Sequence, residues 1–183
     1  MSDVLHLQVD RIATPLGEMA IVADRDGALR ALDWSDHDDR LHRLFERHYG
    51  RGRYTLEEAK NPGGLAEAMR AYFAGELAVI DTIRVATGGT AFQKIVWSEL
   101  RRIPCGSSIS YSELARRIGR PAAVRAVGLA NGANPIGIVV PCHRVIGANG
   151  TLTGYGGGIE RKRWLLAHES SAATQAQLSL LSP

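Results

Sequence analysis

The stretch Ser110-Tyr111-Ser112-Glu113-Leu114-Ala115-Arg116-Arg117-Ile118-Gly119-Arg120-Pro121-Ala122-Ala123-Val124-Arg125-Ala126-Val127-Gly128-Leu129-Ala130 decides how the second half of this chain folds. Ser110 and Glu113 stand at capping-box spacing, which predicts a short helix running to Ile118. Gly119-Arg120 is a turn, and Pro121 opens a second helix, Ala122 to Ala130, at a position where a first turn tolerates proline. Two short helices across a glycine-containing turn make a helix-turn-helix candidate. The second helix offers Arg125 as its one long polar side chain, whereas Ala122, Ala123, Ala126 and Gly128 are small. Such a face lets the backbone approach a narrow nucleic-acid groove with one arginine inserted, and the same residues equally serve tight helix packing.

Outward from this pair, the apolar run Ile136-Gly137-Ile138-Val139-Val140 leads into Pro141-Cys142-His143-Arg144-Val145. A thiol beside an imidazole is a candidate nucleophile, because reactivity depends on a neighbour that stabilises the thiolate. A buried Cys next to a His also serves simple packing. On the other side, Thr90 is placed to cap a helix through Arg102, with Phe92, Ile95, Val96, Leu100 and Ile103 as its buried stripe. Pro104-Cys105-Gly106 ends it, and Cys105 reads as structural. Ala86-Thr87-Gly88-Gly89-Thr90 is the best linker candidate. It divides the chain into residues 1–86 and 87–169, followed by a flexible tail at 170–183.

The first half opens with Leu5, Leu7 and Val9 alternating with polar residues, then Met19-Ala20-Ile21-Val22-Ala23 after the turn signal Thr14-Pro15-Leu16-Gly17. Asp26-Gly27 turns the chain into Leu29-Arg30-Ala31-Leu32-Asp33-Trp34, which predicts a three-stranded antiparallel meander. Asp38 to His48 carries Leu41, Leu44 and Phe45 at helical spacing, with His37, His42 and His48 read as solvated. A second helix, Leu65 to Ala74, has Leu65, Met69, Tyr72 and Phe73 on one face after the breaker Asn61-Pro62-Gly63-Gly64. No reactive groups gather in this half, which reads as scaffold.

The composition, 45% hydrophobic and 22% charged, is that of an ordinary soluble protein. No apolar stretch approaches the roughly 20 residues of a membrane helix, and the first residues lack the pattern of a signal peptide, so the expected location is the cytoplasm. Two cysteines argue against a disulfide framework and exclude a multi-cysteine zinc site. Residues 1–86 hold 11 Lys and Arg against 15 Asp and Glu, a balance of −4; residues 87–183 hold 11 against 4, or +7. A basic half joined to an acidic one fits a polyanionic partner, and fits equally two differently charged solvated surfaces.

Taken together, these motifs resemble the O6-alkylguanine-DNA alkyltransferase family. The resemblance is strongest from Gly88 to Glu169: Phe92-Gln93, Tyr111, Arg125-Ala126-Val127-Gly128, Asn131 to Pro135, and Pro141-Cys142-His143-Arg144-Val145-Ile146-Gly147. It continues through Gly154-Tyr155-Gly156-Gly157-Gly158, Lys162 and Trp164-Leu165-Leu166-Ala167-His168-Glu169, and the first half resembles the constitutive bacterial branch. The fold implied is α+β, with a ribonuclease H-like small antiparallel sheet and helices first, then a mostly helical, winged-helix-like domain with the helix-turn-helix.

The activity implied is direct, irreversible DNA repair by a monomer without cofactor or metal. An O6-alkylguanine or O4-alkylthymine is flipped from duplex DNA and its alkyl group moves to Cys142, once per molecule. The resemblance makes His143 the base that takes the Cys142 proton through a water, and Glu169 the group that orients His143. It places Asn134 at a tight turn before the cysteine and Tyr111 at the target phosphate and base. Arg125 fills the vacated stack, and Ala123, Ala126 and Gly128 form the slim DNA-facing helix. Val145, Tyr155, Gly156, Gly157 and Lys162 surround the pocket, whose bare glycine wall suits alkyl groups larger than methyl. Arg144 reads as a structural salt-bridge partner, and Trp164, Leu165 and Leu166 as core. Two departures from the family pattern stand out: Gly156, where some members carry Ser, and Val124, where Ala is expected. A lesion-binding sensor without transfer and a Cys-His-Glu hydrolase are the competing functions.

Overall fold

Alternating apolar residues near the start of the chain form the expected antiparallel strands, β1 (Leu5–Thr14), β2 (Gly17–Asp24) and β3 (Leu29–Trp34), in a computed structural model that describes residues 4–179. A fourth strand, β4 (Tyr54–Glu58), lies parallel to β1, so the sheet order is β3-β2-β1-β4 and the sheet is mixed rather than wholly antiparallel. The alternation signal is faint there because β4 is an edge strand on which only Tyr54 and Leu56 pack inward while its other residues face outward. The two faces of the sheet are covered separately. Leu7, Val9, Val22 and Ala31 pack on Leu41 and Phe45 of α1 (Asp38–Tyr49), whereas Ile12, Met19, Ile21 and Leu32 meet α2 (Leu65–Phe73) and the second half of the chain. This explains why β2, buried on both faces, reads as a continuous apolar run.

The second half is mostly helical, as its periodicity predicts. Thr90 and Gln93 form a reciprocal capping box at the start of α3 (Ala91–Leu100), at 3.2 and 2.9 Å. The inward stripe differs from the expected one. Ile95 is 46% exposed and Phe92 only half-buried, and Trp97 is buried in their place, donating its indole N–H to the Ala130 carbonyl at 2.8 Å. At α4 (Tyr111–Arg117) only half of the predicted capping box forms: the Ser110 hydroxyl accepts from Glu113 N, while the Glu113 carboxylate pairs with Arg116 and Arg117 instead of turning back. The following helix, α5 (Val124–Gly132), starts two residues later than expected because Pro121–Ala123 winds as a 3-10 turn.

Short strands β5 (Ile109–Ser110) and β6 (Val145–Ile146) pair in parallel, joining the start of α4 to the exit of the cysteine segment. The chain ends in α6 (Ile159–Ser179), so the tail expected from residue 170 is helical to Ser179; residues 180–183 lie outside the described residues. His48 departs from the solvated reading. Its ring packs on Trp97 and Tyr49 with both nitrogens buried. No helix among the described residues is long and apolar enough to cross a membrane.

The two halves share one hydrophobic cluster and a backbone seam. Leu32 on edge strand β3 donates to the Pro135 carbonyl at 3.0 Å and accepts from Gly137 N at 2.8 Å. The segment leading to Cys142 therefore adds itself to the first-half sheet, satisfying edge groups that water would otherwise solvate.

The revised stripe of α3 predicts a contrast within one helix. Leu100→Ala should lower the unfolding free energy by about 2–5 kcal/mol in chemical denaturation. Ile95→Ala should change it by no more than about 0.5 kcal/mol. Equal losses would return Ile95 to the core.

Candidate active site

The backbone before Cys142 is folded tightly on itself. Val139 N donates to Gly137 O and Cys142 N to Val140 O, at 2.7 and 2.8 Å, each spanning two residues. Ile138 is held at φ 65°, a conformation costly for a β-branched side chain and sustained only by its surroundings. Asn134, 2% exposed, supplies much of that constraint. Its Nδ2 donates to Ile136 O and Val140 O at 3.0 and 2.8 Å, and its Oδ1 accepts from Ile136 N at 3.0 Å. The expected tight turn at Asn134 is thus a side-chain template for the whole loop. Asn131 adds a longer bond to the Cys142 carbonyl.

Cys142 begins a 3-10 turn through Arg144 in which all three side chains are buried. His143 Nε2 lies 2.8 Å from Glu169 Oε1. An ionised carboxylate only accepts, so the proton sits on Nε2 and the free lone pair on Nδ1, which has no hydrogen-bond partner among the described residues. Arg144 grips the same carboxylate with two bonds, Nε to Oε2 at 2.8 Å and Nη2 to Oε1 at 2.9 Å, while its Nη1 donates to Ile103 O. Tyr72, reaching from α2, donates its hydroxyl to Glu169 Oε1 at 2.9 Å. Arg144 is therefore a salt-bridge partner, as expected, and Tyr72 is more than core.

Burial alone would raise the Glu169 pKa, but the hydrogen bonds from His143 and Arg144 outweigh it and hold the carboxyl well below its usual range. Burial lowers the His143 pKa against the pull of Glu169, so the resting imidazole is neutral. Burial also pushes the Cys142 thiol up, opposed by Asn134 and by the charges of Arg40 and Lys162. The resting site is a neutral thiol beside a neutral base, with the anion already paired. Cys105, half-buried in the turn after α3, is pushed up to about 12, first by burial and then by nearby Glu169, which leaves it a poor nucleophile at neutral pH.

A cavity of about 340 Å³ opens on Cys142, within the range of small-molecule sites. Tyr111, Asn134, Gly128 and Tyr155 border it, together with Gly156 and Gly157. The Tyr111 hydroxyl reaches Thr153 O at 3.4 Å, and burial raises its pKa. Val145 and Lys162 do not border the cavity. Lys162 is buried behind the wall, donating from Nζ to Val145 O at 2.6 Å and Thr153 O at 3.1 Å, and so fastens β6 to the glycine-rich segment.

The glycine wall is also not bare. A Cβ on Gly156 would lie 2.7 Å from the Arg40 guanidinium, and one on Gly157 2.6 Å from the Trp34 ring. These glycines are small because first-half side chains press on them. Arg125 and Ala126 stand exposed on the outer face of α5, with Ala123 half-buried in the turn before it, and Arg125 has no side-chain partner among the described residues.

Arg40 and Asp33, absent from the sequence-based site, complete it from the first half. Arg40, on α1, pairs with Asp33 and donates from Nη2 to Gly132 O and Asn134 O at 3.0 and 3.1 Å. One signal was available in the sequence: Asp33 lies between Leu32 and Trp34 in an inward-facing strand, and a buried carboxylate needs a cation. Tyr72 carried a similar signal, since a phenol on an apolar helix face needs an acceptor.

Family models meet this geometry at both ends of the chain. Residues 10–87 match the ribonuclease-like domain of 6-O-methylguanine DNA methyltransferase, and residues 91–171 match its DNA binding domain. A methylated-DNA–protein-cysteine methyltransferase of Salmonella typhimurium is 57% identical over 166 residues, 91% of this chain and 97% of that protein. Among solved structures, the O6-methylguanine methyltransferase of Mycobacterium tuberculosis superposes with a TM-score of 0.75 at 42% identity, covering 96% of this chain and 99% of that one. The Mycobacterium tuberculosis OGT in complex with DNA gives a TM-score of 0.72 at 43% identity, covering 92% of this chain and 94% of that one. Two adjoining family models, and relatives matched along nearly their full length, account for both the sheet and the cysteine-bearing half: the chain belongs to the 6-O-methylguanine DNA methyltransferase family.

Proposed function

We propose that this protein repairs DNA by moving the alkyl group of O6-alkylguanine, and of O4-alkylthymine, onto Cys142 in a single irreversible event. It acts as a monomer in the cytoplasm, with residues 87–169 carrying the DNA-binding surface and the acceptor thiol and residues 1–86 bracing them. The observation that carries this reading is the buried His143 imidazole: Glu169 accepts from its Nε2 at 2.8 Å, which leaves the Nδ1 lone pair free, and the residue before it, Cys142, lines the cavity.

The chemistry follows from that arrangement. The flipped base enters the cavity, its alkyl carbon facing Sγ. His143 Nδ1 takes the thiol proton through a water, and the imidazolium so formed is stabilised by Glu169 in a low-dielectric setting. The thiolate attacks the alkyl carbon; the S–C bond forms as the C–O bond breaks, and the electron pair stays with the base. Tyr111 gives its phenolic proton to the departing guanine, and the proton on His143 returns through solvent to the phenolate. The balance is thiol and alkyl ether in, thioether and neutral guanine out.

The remaining roles are positional. Asn134 holds the thiol's loop and Tyr155 walls the cavity. Gly156 presents backbone to the base edge, and Val145, behind the wall, anchors Lys162 through its carbonyl. Gly157 keeps the wall against Trp34, and Lys162 secures it from behind. Arg125 enters the vacated stack from a helix kept slim by Ala123, Ala126 and Gly128.

Incubation with duplex DNA carrying a labelled O6-methylguanine tests the proposal. The label should become covalent on the Cys142 peptide in one copy per molecule. Cys142→Ser should bind the same DNA and accept nothing, because a neutral hydroxyl is a far weaker nucleophile. Label released to solvent would make the protein a hydrolase, bound but unchanged DNA would make it a sensor, and label on Cys105 would relocate the acceptor.

Glu169→Gln should slow transfer and move its pH–rate profile to higher pH. The carboxylate favours imidazolium, so its loss makes His143 a weaker proton acceptor and delays thiolate formation to higher pH. Because the change also strands buried Arg144, Tyr72→Phe serves as a milder variant that removes one donor to Glu169. Glu169 then draws more strongly on His143, and the profile should shift the opposite way, to lower pH. Unchanged profiles in both variants would refute the relay.

A further inference from the structure

Three large hydrophobic side chains are markedly exposed among the described residues, and Leu129 is the extreme case at 72%, against 46% for Ile95 and 40% for Val4. It lies on α5, whose inward face is complete without it: Val127, Ala130 and Asn131 are buried. Its outward neighbours are Ala122, Arg125, Ala126 and Gly132, so Arg125 and Leu129 are the two long side chains on an otherwise small face. Gly128, Asn131 and Gly132 on the same helix line the cavity of Cys142, so along the helix axis Leu129 lies level with the cavity and Arg125 one turn before it.

We propose that Leu129 is an apolar wedge that packs against the base left exposed beside the flipped nucleotide, on the cavity side of the gap filled by Arg125. The inference rests on the alkyl-transfer reading above and adds a residue to its DNA-handling surface. Duplex DNA is the occupant, rather than a second copy of the chain, for reasons of charge and shape. The face holds the unpaired cation Arg125 and no carboxylate, within a half of the molecule whose balance is +7. Small flanking residues let a helix backbone come close to a groove, and proteins that bend DNA through the minor groove insert leucine-type wedges at base steps. Four residues of helix rise by about 6 Å, slightly under two base-pair steps of about 3.4 Å, so two prongs at this spacing reach neighbouring positions in one stack.

The test compares wild type, Leu129→Ala and Leu129→Met on a duplex with one O6-methylguanine and 2-aminopurine as its neighbour, and on free O6-benzylguanine. At subsaturating DNA, Leu129→Ala should slow transfer from the duplex by about 3- to 10-fold, as expected for partial loss of one buried leucine contact. The 2-aminopurine signal of unstacking should fall with it. The ratio of duplex to free-base rates should drop by the same factor, Leu129→Met should restore most of the loss, and the melting temperature should not move. Duplex rates and fluorescence equal to wild type would overturn the wedge. So would a Leu129→Ala effect confined to self-association in sedimentation, which would assign the face to a second copy. If wild type transferred label from neither substrate, the alkyl-transfer reading would fail. The 2-aminopurine change on binding would still decide whether Leu129 disturbs the stack.

Discussion

The carboxylate of Glu169 is the point on which the rest of the site depends. It is fully buried and accepts from three side chains on two elements of the fold: His143 and Arg144 in the cysteine turn, and Tyr72 on α2. Arg144 extends the network to the turn after α3 through the Ile103 carbonyl. Removing one partner of such a buried pair costs about 3–5 kcal/mol, because the remaining charge is left without compensation. Arg144 neutralises Glu169 in the resting protein, so the carboxylate can hold an imidazole in one tautomer without itself being a bare buried charge. The proposed chemistry would therefore use the same atoms as the stability of the fold.

A second constraint fixes where the thiol points. The strained segment around Ile138 is clamped from two sides. Asn134 ties it internally, and edge strand β3 pairs with it at Pro135 and Gly137. Arg40 joins these clamps by donating to Gly132 and Asn134 carbonyls while answering the buried charge of Asp33. The acidic first half is thus part of the cavity wall, through Arg40 against Gly156 and Trp34 against Gly157. A preorganised wall of this kind spares the reaction the cost of arranging it at the moment of transfer.

Single use suits this construction. In the proposed reaction the product is a thioether on Cys142, a bond that an imidazole does not cleave, so each molecule acts once.

Much of this was legible in the residues themselves. Helix caps at Thr90 and Ser110, the alternation of β1, the turn at Asp26-Gly27 and the Pro-Cys-His-Arg-Val signature depend on neighbours within a few positions, where local backbone chemistry governs the outcome. β4 was not legible, because an edge strand with two inward residues makes no periodic pattern. Nor was the swap of Ile95 for Trp97 on α3, since periodicity marks a helical stripe only to within one residue and the indole found an acceptor at Ala130, distant in sequence. Local patterns were enough to place the helix-turn-helix, the Cys142-His143 pair and their order along the chain. Tertiary structure alone decided that Arg40, Asp33 and Tyr72 belong to the site and that Val145 and Lys162 stand behind it. A buried charge or phenol announces only that it needs a partner, and which one it finds depends on how separate elements come to pack.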